Sequence, residues 1–150
     1  VNSIIKCKDW HNRVIKLNPI VGVWSRYDLL FFSLIIPGIL LYIYQLPSEL
    51  KNSFALIPSE PSLRTMFLSH YVHMDFNHLL GNLIPYLIII LVIFNIETNK
   101  KIFYATSISL FGILPFIASL GNVIFTPISK PFYGFSAIGS GFMGYLIYAV

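Results

Sequence analysis

The chain has 150 residues, of which 56% are hydrophobic and 11% charged, and its mean hydropathy is +0.74. Those values exclude an ordinary water-soluble domain, in which about a quarter of the residues are charged. The net charge of +4 does not point to nucleic acid, because the basic residues fall where membrane orientation by itself would place them.

Residues 1 to 28 read as a basic, interfacial, cytoplasmic arm. It carries Lys6, Lys8, Arg13, Lys16 and Arg26 together with Trp10, Trp24 and Tyr27, whose amphipathic rings favour the headgroup layer. Cys7 is the single cysteine, so an intrachain disulfide is impossible and a reducing setting fits. From here on the chain divides at its charges. No Asp, Glu, Lys or Arg lies between Asp28 and Glu49, between Asp75 and Glu97, between Lys101 and Lys130, or after Lys130. Each gap approaches the roughly 20 residues that cross about 30 Å of hydrocarbon as a helix.

The first span is expected at 29–46, kinked at Pro37-Gly38. It starts too late and runs too long for a cleaved signal. A loop with Pro-Ser punctuation follows over 47–61 and is long enough to lie on the membrane surface. The second span, 75–96, begins at Asp75, whose carboxylate can cap the free amides of the first turn. The third, 102–126, has Gly112, Pro115 and Gly121 as candidate breaks. A short outer loop leads to the fourth, 136–150, which is dense in small residues that allow close helix approach and is expected to be central rather than lipid-facing. Its 15 residues rise about 22 Å, short of a full crossing, which suggests a fragment. Lys100 and Lys101 share a side with the basic arm and outweigh Lys51, Arg64 and Lys130 opposite. This places the N-terminus in the cytoplasm.

Two groups of residues carry possible chemistry. His78 and Asn82 lie four apart on one face of the second span, with His73 just before its cap. Polar side chains within a span either serve function or lock helix packing. Ser136 opens the fourth helix after Gly134-Phe135, where first-turn amides lack partners and can donate to an oxyanion. Ser136, Ser140 and Gly144 equally form a small-residue packing ridge. Between the serines, Ser136 is preferred, because the Ser140 amide is one turn in and already bonded.

Taken together, His73-Met-Asp-Phe-Asn-His78-Leu-Leu-Gly-Asn82 and Gly134-Phe135-Ser136, followed by Gly141 and Gly144, resemble the rhomboid family of intramembrane serine proteases, from about Leu63 to Val150. The resemblance implies an all-α polytopic membrane bundle, with four of six expected core helices present in a domain over 29–150. It implies Ser136 as nucleophile, His78 and Asn82 as oxyanion stabilisers, Gly134 in the active-site loop, and His73 as a structural or water-binding residue at the rim. The activity implied is acyl transfer on transmembrane protein substrates within the lipid bilayer, with the site opening outward and with no metal, organic cofactor or nucleic acid. The family's general-base histidine belongs to a sixth span, so these 150 residues alone are expected to be inactive. Leu63-Arg64 stands near the place where the family often has Trp-Arg.

Two other readings remain open at this stage. One is a catalytically dead relative that binds transmembrane clients. The other is a metal-handling protein using His70, His73, Asp75 and His78, although His73 and His78 lie about 140° apart on a continuous helix.

Overall fold

The computed structural model describes residues 24–125 and 130–150. Most of the basic arm, including Trp10, Cys7 and His11, lies outside the described residues, as does the expected end of the third span at Thr126.

Three helical stretches are long and apolar enough to cross a membrane: Arg26–Tyr44, Phe76–Ile96 and Lys100–Phe125. Helix α1 (Arg26–Tyr44) opens on a capping box. Ser25 Oγ accepts from the Asp28 amide at 3.3 Å, and the Asp28 carboxylate accepts from the Ser25 amide at 2.8 Å. The irregularity expected at Pro37 lies one turn earlier, as a π-helical turn over Phe31–Ile35. Pro37 has no amide to give and its ring crowds the carbonyl four residues back, so the turn before it widens.

Two short helices follow, α2 (Ser48–Asn52) and α3 (Leu63–Leu68), the latter continuing as a 3-10 turn over Ser69–Tyr71. Lys51 folds back so that its ammonium donates to the Tyr44 carbonyl at 2.9 Å, satisfying the C-terminal end of α1. Helix α4 (Phe76–Ile96) starts at the predicted cap, with Asp75 accepting from the His78 amide at 2.7 Å. The third long stretch divides into α5 (Lys100–Gly112) and α6 (Leu114–Phe125). The break falls between Gly112 and Pro115, while Gly121 stays within regular helix.

Helix α7 (Ser136–Ala149) packs most extensively on α4. Its buried residues are Ile138, Phe142 and Tyr145, a helical stripe at spacings of four and three. Tyr86 of α4 meets Phe135 and Phe142 edge-on at centroid distances of 5.4 and 5.6 Å. Of the three glycines in α7, Gly141 is the one in close approach: a Cβ there would stand 2.6 Å from a Leu110 methyl. The Ser136, Ser140 and Gly144 ridge is exposed in this chain, so α7 packs on one face and leaves the other open.

Trp24 differs from a headgroup-facing ring. It is 6% exposed and wedges between Phe94 and Phe103, 4.7 and 5.0 Å away. The aromatic-rich meeting of α1, α4 and α5 buries more apolar surface than the interface would. At that same end Lys100 pairs with Asp28 at 2.8 Å, Tyr104 also donates to Asp28, and Tyr145 donates to Glu97 at 2.5 Å. These bonds bring the starts of α1 and α5 and the far ends of α4 and α7 to one side of the bundle. The starts of α4 and α7 lie at the other.

Candidate active site

At the start of α4, Asn82 sits one turn below His78. Its side-chain NH2 donates to the His78 carbonyl at 2.9 Å and to His73 Nε2 at 3.2 Å. A carbonyl can only accept, so the nitrogen must be the atom facing His78, and the amide orientation follows from chemistry. The Phe135 amide, just ahead of α7, donates to the same His73 Nε2 at 3.3 Å. With two donors arriving, Nε2 presents its lone pair and the imidazole proton belongs on Nδ1.

His73 thus joins α4 to the turn that carries Ser136. It is fully buried, so it lies beneath the site and not at the rim where it was expected. Burial pushes its pKa from the ordinary 6.5 down to about 4. The neighbouring His78 acts in the same direction and the Tyr71 backbone opposes. The neutral ring that results at pH 7 is the form able to accept both bonds.

Gly134 has φ 124°, a region L side chains rarely adopt. Its amide donates to the Ser69 carbonyl at 2.9 Å. A Cβ there would lie 2.6 Å from His78 Cε1 and 2.8 Å from Nε2. The imidazole therefore rests directly on the glycine backbone, two residues before Ser136. The loop between α2 and α3 adds a second hold: Leu56 and Phe132 exchange backbone hydrogen bonds of 3.0 and 2.8 Å as an isolated antiparallel pair.

Ser136 is the first residue of α7, and Phe135 before it offers no side-chain cap. The amides of the first turn have no intrahelical carbonyl to bond, and the helix dipole places partial positive charge there. The Ser136 side chain is exposed and lines two cavities. One, of about 280 Å³, is shared with Asn82, Gly81, Pro85 and Ser140. The other, of about 300 Å³, is shared with Ser69, His70, Asn122 and Gly134. Because Ser140 lines both as well, cavity position does not separate the serines, and their places in the helix do.

His70 faces away from His78. Ser119 Oγ donates to the Met66 carbonyl at 2.7 Å, so it accepts from His70 Nε2 at 3.0 Å. His70 therefore carries its proton on Nε2, the tautomer opposite to that of His73. Burial holds its pKa below 6.5, against the Pro115 and Gly134 backbone. Among the described residues no histidine is hydrogen-bonded to the Ser136 hydroxyl, and no three His, Cys, Asp or Glu side chains group as metal donors. The donors of the metal reading are dispersed, with His70 on Ser119 and Asp75 capping α4.

The structure places Ser136, Gly134, His78 and Asn82 at one end of the bundle, with His78 against Gly134 and Asn82 beside the same cavity as Ser136. Sequence reasoning missed the second cavity and its lining by His70, Ser69 and Asn122. Asn122 carried a readable signal, a lone amide in the apolar run from Ile113 to Phe125.

A bundle of long apolar helices with histidine, asparagine and serine gathered where two of them begin defines an integral membrane protein with a polar site at one end. A family profile described as Rhomboid domain matches residues 60–150. The chain belongs to the rhomboid family, whose members are generally intramembrane serine proteases and include related inactive proteins. No curated protein and no solved structure matches it.

Proposed function

We propose that the chain is the serine-bearing part of an intramembrane endopeptidase in which Ser136 attacks a peptide carbonyl of a transmembrane substrate. The observation that carries this reading is the seating of His78 on Gly134, two residues ahead of a serine at a helix mouth, with Asn82 lining the same cavity. A tetrahedral oxyanion above Ser136 would meet the first-turn amides of α7 and the His78 ring. Fixed donors in a site with little water stabilise such a charge strongly. Asn82 contributes once one of its N–H bonds turns from His73 or the His78 carbonyl toward the cavity. The polar space beside Ser69, His70 and Asn122 offers room for the water that releases the acyl-enzyme.

The general base is assigned to a histidine outside these 150 residues, because His70 and His73 are engaged elsewhere and His78 rests on Gly134. In this reading the site faces the outer side of the membrane, and the Asp28–Lys100 end faces the cytoplasm. The domain boundaries at 28 and 29 and the fourth span belong to the same proposal.

Labelling of the full-length protein in membranes with a fluorophosphonate probe tests it. Labelling is expected in the wild type and in Ser140→Ala, and is expected to vanish in Ser136→Ala. Labelling that survived Ser136→Ala and disappeared in Ser140→Ala would overturn the assignment. The 150-residue chain by itself is expected not to cleave a membrane substrate.

One observation favours a second reading, a client-binding relative without catalysis: both Asn82 protons are already bonded within the protein. Absence of probe labelling in the full-length wild type, with retained capture of a transmembrane client, would select that reading.

A further inference from the structure

Between α1 and α5 runs a groove of about 360 Å³ that plays no part in the site. It is lined by Phe32, Ile36, Ile39, Ser107, Ile108 and their neighbours, and is almost wholly apolar. Both walls belong to helices long and apolar enough to cross a membrane, so an alkyl chain suits the lining. Along α1 it extends from Phe31 to Leu40, about 13 Å at the helical rise, close to half of the roughly 30 Å hydrocarbon layer. That is the depth of one leaflet. The Ser107 hydroxyl, in a residue 3% exposed, lines the groove and has no hydrogen-bond partner. A buried hydroxyl without a partner is costly and invites an acceptor from whatever enters.

One end of the groove is polar. Tyr104 lines it and donates to Asp28, which pairs with Lys100. Arg26 and Lys101 are exposed beside these residues in the chain. Three cations thus stand with two carboxylates, Asp28 and Glu97, at this end of the bundle, and the surplus is positive.

We propose that this groove holds one acyl chain of an anionic glycerophospholipid from the leaflet on the Lys100 side. The chain lies between α1 and α5, an ester oxygen accepts from Ser107, and the headgroup phosphate rests by Lys100 and Lys101. Both kinds of headgroup carry the phosphate, and the anionic one is favoured because a zwitterionic one adds a quaternary ammonium beside the cation cluster.

The test places the full-length protein in nanodiscs of equal phosphatidylglycerol and phosphatidylcholine, and counts lipids retained on release by native mass spectrometry. One phosphatidylglycerol per chain is expected. Its preference over phosphatidylcholine should be about fivefold per cation that reaches the headgroup, and should fall by that factor in Lys101→Gln. Ile108→Trp fills the groove from an exposed position and should remove the retained lipid. Equal retention of the two lipids, or unchanged retention in Ile108→Trp, overturns the proposal. A measurement on the wild type keeps it open to refutation should a variant not fold. Phosphatidylglycerol with a photoreactive acyl chain should label Ile36, Ile39 and Ile108 well above Ile84 and Ile88, which are exposed on α4. Equal labelling of the two faces marks ordinary annular lipid and sinks the idea.

Discussion

The two ends of the bundle are held by different kinds of bond. At the Asp28 end, side chain meets side chain: Lys100 and Tyr104 on Asp28, and Tyr145 on Glu97. Each carboxylate there has a donor from a neighbouring helix. At the Ser136 end the helices are joined through backbone and imidazole, with His73 accepting from Phe135 and Asn82, Gly134 bonded to Ser69, and Leu56 paired with Phe132. This second arrangement leaves the serine hydroxyl and the first amides of α7 facing a cavity. A membrane bundle can pair its carboxylates across helices at one end and keep polar groups facing a cavity at the other, provided the backbone does the holding there.

Four changes break or sharpen that contrast. The largest effect is expected from Asn82→Ala in the full-length protein. Loss of an oxyanion donor should lower kcat about 100-fold, with KM for a fluorogenic transmembrane substrate little changed. A matching loss from Tyr145→Phe would erase the distinction between the ends.

Acid comes next. His73 titrates near 4 in the folded chain and at 6.5 when exposed, so between those values the unfolded state binds more protons. Stability is then complete above about pH 6.5 and declines as the pH falls toward 4, by on the order of 3 kcal/mol across the window. Thermal unfolding in detergent micelles from pH 7 to pH 4 measures the slope, and His73→Gln should flatten it.

Tyr145→Phe should cost about 2 kcal/mol of stability, the worth of a hydrogen bond to a charged group, while probe labelling at Ser136 stays as in the wild type. The smallest effect is expected from Lys51→Met, which removes the cation at the end of α1. It should lower stability by about 1 kcal/mol, read as a drop in the thermal midpoint.

Much of this architecture was legible because lipid simplifies the code. The charge-free intervals gave the long helices, and Asp75 announced its own helix start through short-range capping. His78 and Asn82 were visible as polar residues one turn apart, and Ser136 as a hydroxyl following a loop glycine. What stayed hidden depends on partners distant in sequence. Trp24 left the expected interface for Phe94 and Phe103, 70 or more residues away. The buried seat of His73 depends on Phe135, and the role of His70 on Ser119. The π-helical turn was obscured differently: Pro37 signalled a disturbance, but its ring displaces the turn before it, so the irregularity is offset from the residue that causes it.

The pairing of Leu56 with Phe132 has a mechanical meaning. Gly134 is two residues beyond the tether, at most about 7 Å of extended chain, so the strap has almost no slack to absorb displacement. A sideways pull on the loop between α1 and α4 is delivered to the turn before Ser136 ahead of any rearrangement among the helices.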